Sequence, residues 1–230
     1  MILAVDCSLR WTNVALFSEG RVSASERLNI GRRQATELPL MVERLLVNAN
    51  YSFDDIALVA VTNGPGYFTG IRVGAAYATG LAYGLGVKIV PVSTLYMLAY
   101  PFLASRTVLV VVYAGRERLY AASFGHRQKN AQENALPTGE YGSEILEAWL
   151  SRQEKGFSSQ DVLIVSDDPE KVSSAFRLPQ EAQKEMRRVP PDAAIVARIA
   201  AQAANRGESI SPMDLRISYH RSPKTGGVLH

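Results

Sequence analysis

Cysteine is almost missing: Cys7 stands alone among 230 residues, so no disulfide can form within the chain. Histidine is nearly as scarce, at positions 126, 220 and 230, with no pair at helical spacing. One thiol and three scattered imidazoles supply no zinc set, which predicts a protein without a bound metal. No apolar run approaches the about 20 residues that cross a bilayer, and no basic segment precedes an apolar one at the start. Both absences predict a cytoplasmic chain without membrane contact. GxxxxGK[ST] does not occur, which excludes a Walker-type phosphate loop. No Ser-His-Asp set can be assembled, because each histidine lies in a segment with no supporting motif. A dense block of one charge is also lacking: the net +3 sits partly in Arg216, Arg221 and Lys224 and reads as a solvated basic surface.

What remains is ordinary globular composition, 47% hydrophobic and 20% charged, enough for one large domain or two small ones. Its organising stretch is Gly64-Pro65-Gly66-Tyr67-Phe68-Thr69-Gly70-Ile71-Arg72-Val73-Gly74. Following the apolar run Ala57 to Val61, it reads as strand, glycine turn, helix. Gly64 and Gly66 suit positive φ or close approach, Pro65 presets φ, and Thr69 is the expected N-cap. From Gly70 to Leu85 Arg72 is the sole charge, and a helix so apolar must be covered on both sides. Gly70 with Gly74, and Gly80 with Gly84, are four apart, a spacing that admits another backbone and in a soluble chain points first to tight packing within the subunit.

Along the chain, Met1 to Asp6, Val14 to Phe17 and Val22 to Leu28 read as three strands, the last two joined at Ser18-Glu19-Gly20-Arg21. Gln34 to Asn50 has a helical period with Leu38, Met41, Val42, Leu45, Leu46 and Ala49 on one face and Leu40 and Val47 nearly opposite. Strands follow at Ala57–Thr62 and Val87–Val92, and Ser93 caps a helix of about ten residues. After Ser105 the pattern restarts with strands at Val108–Tyr113 and Leu119–Phe124. A Gln- and Asn-rich stretch, a helix around Ser143–Arg152, a strand at Val162–Val165 and a helix around Pro169–Phe176 come next. Asp192 to Asn205 is an alanine-rich helix ending at Gly207. From Ser211 the tail is polar and basic, and Ser222 to His230 is expected to be disordered.

Gly64 to Gly74 resembles the GPGSFTGxRxG segment of the bacterial TsaB (YeaZ) family, with Tyr67 where serine is usual. Ile2-Leu3-Ala4-Val5-Asp6-Cys7-Ser8 is similar to that family's opening strand and turn, and the likeness runs over residues 1 to 125. Where the family often has Asp-Ala-Arg-x-x-Glu-Val-Tyr, Tyr113 to Tyr120 puts Ala114 in place of the acid. The resemblance implies an α/β, actin-like ATPase and sugar-kinase (ribonuclease H-like) fold of two tandem modules, 1–105 and a degenerate 106–191. The 192–206 helix would pack back on the first, with 211–230 as tail.

Asp6 with Ser8 stands where that fold places an acid for magnesium and groups for phosphate; by itself it reads equally as a strand-end acid capping its own turn. A second phosphate loop and a glycine pair near an adenine are missing. Cys7, with no histidine or second thiol near it, reads as a structural thiol. TsaD, the catalytic relative, is recognised by two histidines four apart on the first long helix, and Gln34 to Asn50 has none. The resemblance therefore implies a non-catalytic scaffold without a cofactor of its own. It would bind TsaD, reach TsaE and tRNA through the complex, and support threonylcarbamoyl transfer to the adenosine beside the anticodon. ATP would sit at the complex with TsaD and TsaE. The alternative is an ATP-dependent kinase or ATPase of the sugar-kinase class; a glycoprotease-like hydrolase would need a metal or nucleophile that is not found. On the second helix Arg72, Ala76, Thr79 and Tyr83 share one face bordered by Gly80. With Leu40 and Val47 they form the expected surface for a homodimer and for TsaD.

Overall fold

The computed structural model describes residues 1–115, 118–125, 136–142, 144–146, 148–149, 162–176 and 186–219. Residues 144–146 and 148–149 are helical; the rest of the helix expected at Ser143–Arg152, the Gln- and Asn-rich stretch, all three histidines and the tail from residue 220 lie outside the described residues.

Strands β1 (Ile2–Asp6), β2 (Thr12–Ser18) and β3 (Arg21–Leu28) form an antiparallel meander, turned at Glu19 and Gly20, which both take positive φ. A 3-10 turn at Gly31–Arg33 leads into helix α1 (Gln34–Asn48). Strand β4 (Leu58–Gly64), helix α2 (Phe68–Leu85) and strand β5 (Lys88–Ser93) follow, with β4 parallel to β1 and β5 parallel to β4. The sheet order is β3-β2-β1-β4-β5. Helix α3 (Thr94–Ala99) starts at Ser93, whose hydroxyl accepts the Tyr96 N–H, and a 3-10 turn at Tyr100–Phe102 extends it.

The same plan then repeats. Strands β6 (Thr107–Gly115), β7 (Arg118–Phe124) and β8 (Gly139–Tyr141) are antiparallel, and β9 (Val162–Ser166) and β10 (Arg187–Arg188) run parallel to β6, in the order β10-β9-β6-β7-β8. Each sheet is thus a ribonuclease H-like arrangement, the second reduced at both margins to strands of three and two residues. Helix α4 (Pro169–Ala175) follows β9, capped by Asp168. Helix α5 (Ala193–Asn205) is capped by the Asp192 carboxylate at 2.8 Å from the Ala194 nitrogen and closes at Gly207 with φ 77°.

Alternation along the central strands sorts the core into layers. Leu3, Val5, Val59 and Val61 pack under Leu38, Met41, Val42 and Leu45 of α1 and Ala78 and Ala82 of α2. Ala4, Ala60, Val90 and Val92 belong to the opposite cluster, with Val196, Ala197 and Ala200 of α5 and Val108, Val110 and Val112 of β6. Alanine on both sheet and helix lets α5 lie close to the first sheet. Beyond it the chain pairs Ile210 with Ile89 of β5 through two backbone hydrogen bonds, 3.0 and 2.9 Å. It then turns at Pro212–Asp214 and reaches the end of β4, where the Ser218 N–H donates to the Asn63 carbonyl at 2.8 Å.

Candidate functional site: the strand ends and the outer helix face

Asp6 ends β1 with no solvent exposure. Its Oδ1 accepts from the Ser8 N–H (3.0 Å), the Ser8 hydroxyl (2.6 Å) and the Thr62 hydroxyl (2.7 Å), and its Oδ2 accepts from Asn13 Nδ2 (2.9 Å). Burial pushes the carboxyl above its ordinary range in spite of these four donors. Asp6 thus ties β1 to β2 and β4, and Ser8, also without exposure, is spent on the same knot. In this geometry neither side chain reaches a ligand. Cys7 is buried beside them, and desolvation with the Asp6 charge pushes its thiol well above the usual range, so it is no nucleophile.

The glycine stretch seals this knot. A methyl group at Gly66 would stand 2.2 Å from the Ser8 carbonyl oxygen, and one at Gly70 2.1 Å from the Cys7 carbonyl oxygen. Gly74 rests on the Cys7 side chain. Thr69 is not the N-cap: α2 begins at Phe68 after Tyr67, with no side-chain cap, and the Tyr67 N–H donates to the Ser8 carbonyl at 2.7 Å. Pro65 sits between the two glycines in this turn, and Gly64 takes φ 109°; a methyl there would lie 2.9 Å from the Ser218 oxygen, so Gly64 admits the returning tail. Gly80 and Gly84 differ from the earlier pair, since nothing lies within 4 Å of the added atom. Their spacing does no packing work inside the chain.

The outward face of α1 and α2 is open. Leu40 is 52% exposed, Val47 66% and Tyr83 70%. Arg72, Ala76 and Gly80 are exposed and Thr79 is half-buried, whereas Ile71, Ala75, Ala78 and Ala82 point into the core. The structure therefore places the seven expected surface residues on neighbouring helices, with small and apolar groups facing out.

Sequence reasoning missed the company Arg72 keeps. Its guanidinium lies 3.7 Å from the centre of the Phe68 ring and donates through Nε to the Tyr219 hydroxyl at 2.9 Å, while the Phe68 and Tyr219 rings stand 5.9 Å apart. Asn63 holds the tail in place by donating to the Arg216 carbonyl at 3.1 Å. An aromatic residue inside a basic tail was the available signal. On α4, the Lys171 ammonium sits 5.8 Å from the Tyr67 ring centre and 4.7 Å from that of Tyr113. Ala114, at the family's acidic position, is half-buried in β6. Burial, then the neighbouring Asp168 charge, lifts the Asp167 carboxyl to about 6. Among the described residues no group of histidine, cysteine, aspartate and glutamate could hold a metal ion, and no helix is long and apolar enough to cross a membrane.

Two ribonuclease H-like modules with an acid at the end of the first strand define the fold class of actin-like ATPases and sugar kinases, here with that acid enclosed. A family model described as TsaD, tRNA N6-adenosine threonylcarbamoyltransferase, matches residues 29–157, more than half of the chain. The chain belongs to this family, on its TsaB (YeaZ) side. It is 25% identical over 223 residues to the tRNA threonylcarbamoyladenosine biosynthesis protein TsaB of Buchnera aphidicola, covering 95% of this chain and 96% of that one. With the Escherichia coli TsaB it shares 39% over 98 residues, 43% of this chain and 42% of the other. A solved Pseudomonas aeruginosa protein described as similar to peptidase YEAZ superimposes with a TM-score of 0.77 at 24% identity, covering 96% and 99% of the two chains, a likeness of fold.

Proposed function

We propose that this chain is a non-catalytic subunit that binds a TsaD-type enzyme and supports its transfer of a threonylcarbamoyl group to the adenosine adjacent to the anticodon in tRNAs reading ANN codons. The observation that carries the reading is a contrast: the acid that the fold offers for chemistry is wholly enclosed, while α1 and α2 present exposed Leu40, Val47, Gly80 and Tyr83. A small, flat helical face of this kind suits close packing against two helices of another subunit. On this reading the face serves a homodimer when the chain is alone and TsaD when it is present. TsaE and any ATP are reached through the complex, in the cytoplasm. The names of the relatives support the pathway, and the enclosed Asp6 supports a scaffold over an ATP-consuming enzyme.

The test is co-purification of the chain with the TsaD-type enzyme of its own organism. Wild type is expected to retain it and Leu40→Asp to release it, and the mixture is expected to form threonylcarbamoyladenosine only with wild type. Retention by wild type and variant alike moves the contact elsewhere; failure of wild type to retain it refutes the reading.

A further inference from the structure

At the carboxyl ends of β1 and β4 the cations pair with rings instead of carboxylates. Arg72 lies 3.7 Å over the Phe68 ring, and the Tyr219 ring, 5.6 Å from the same guanidinium and 5.9 Å from Phe68, stands beside both. Arg27, at the end of β3, lies 5.6 Å from the ring centre of Trp11, and Lys171 approaches Tyr67 from α4. Elsewhere Arg33, Arg44, Arg188 and Arg206 each meet a glutamate. Among the described residues Arg27, Arg72 and the exposed Arg10 and Arg216 have no carboxylate within ion-pairing distance, whereas Lys171 acts on the nearby Asp167 carboxylate. Phe68 is 55% exposed and Tyr219 48%, so the ring, guanidinium and ring of this cluster are held in place yet open to solvent.

We propose that this cluster of exposed rings and arginines is a stacking surface for single-stranded RNA, centred on Phe68, Arg72 and Tyr219. Flat π-faces accept bases of any identity, guanidinium planes stack as rings do, and cations without acid partners gain from phosphates. The Tyr219 hydroxyl and the Asn63 amide that holds the tail preorganise the surface, so little ordering is left to binding. The proposal goes beyond the subunit reading and rests on it only for which RNA would be the natural one: the single-stranded loop of a tRNA.

The test uses the full chain, a fluorescein-labelled oligouridylate and unfractionated tRNA, with polarisation followed against potassium chloride concentration. Wild type is expected to bind both, more weakly as salt rises. Phe68→Ala with Tyr219→Ala is expected to lose about tenfold or more in affinity with the salt slope unchanged, and Phe68→Trp to retain binding. Arg72→Gln is expected to flatten the slope by about one phosphate contact. A merely structural role would not separate affinity from slope in this way, and unchanged circular dichroism excludes unfolding. Absence of binding by wild type at low salt, or equal binding by the double alanine variant, overturns the proposal. So does loss of the TsaD-type enzyme by that variant with RNA binding intact, which makes the cluster a protein contact. Loss of enzyme retention by wild type with the RNA results as expected would instead strike only the subunit reading.

Discussion

Gly70 and Cys7 meet backbone to backbone: the first turn of α2 rides on the Cys7 carbonyl so closely that a methyl group at Gly70 would sit 2.1 Å from its oxygen. The obstacle is main chain and cannot swing aside. Gly70→Ala should therefore cost about 2 to 3 kcal/mol. Gly80→Ala, on the same helix with open space beside it, should gain about 0.5 to 1 kcal/mol. Urea unfolding of the two variants checks both signs, and equal effects would refute the division of α2 into a seated end and a free face.

Asp6 predicts both a stability and a null activity. Asp6→Ala strands the Ser8, Thr62 and Asn13 donors in a dry site, which should cost about 3 kcal/mol or more. The purified wild-type chain is expected to hydrolyse no ATP. A saturable rate that co-elutes with the chain on gel filtration would contradict the enclosed geometry.

Asp167 sets a pH dependence. Its carboxyl titrates at about 6 in the folded chain, against 3.8 in the absence of structure. Between these values the folded state holds a proton that the unfolded chain has released, so stability falls as pH rises from about 4 to about 6 and stays lower above. Asp6, also raised by burial, contributes a loss of the same sign as pH rises. Asp167→Asn should be as stable as wild type near pH 4 and about 2 kcal/mol more stable at pH 7, after discounting for the part of the side chain that water reaches. Urea midpoints against pH measure this, and parallel curves would place the titration elsewhere.

Leu40→Asp and Gly80→Asp should each convert a dimer into a folded monomer. Both positions face solvent in the free chain, so folding loses little, whereas an unpaired carboxylate in a dry contact costs several kcal/mol. Sedimentation with a thermal melt separates the outcomes; a variant that stays dimeric would show that the contact lies off this face.

The helices at Gln34–Asn48, Phe68–Leu85 and Ala193–Asn205 were legible because apolar residues recur at helical spacing or a cap and a glycine bracket the run. Leu40 and Val47 were legible as outward residues for the same reason. Thr69 misled because the first N–H of the α2 turn is satisfied by a carbonyl more than fifty positions away, at Ser8, and local capping rules see only neighbours. The docked tail was illegible too: Ser218 and Arg216 bind through backbone groups to Asn63, which leaves no periodic side-chain pattern to read. Gly70 and Gly80 sit in identical spacing, yet only the former touches a neighbour, a difference that tertiary placement alone decides.

The pairing of Ile210 with Ile89 has a consequence for handling the protein. It shields part of the outer margin of β5, the last strand of its sheet, where Pro91 already removes one donor. A chain cut before residue 210 would keep every helix and strand of the first module and still bare a ribbon of unpaired amides and carbonyls. Such a truncation should form aggregates on storage and, having lost Ile210 and Leu215 from against the core, should also melt earlier, because the returning segment both covers that core and guards against strand addition from other copies.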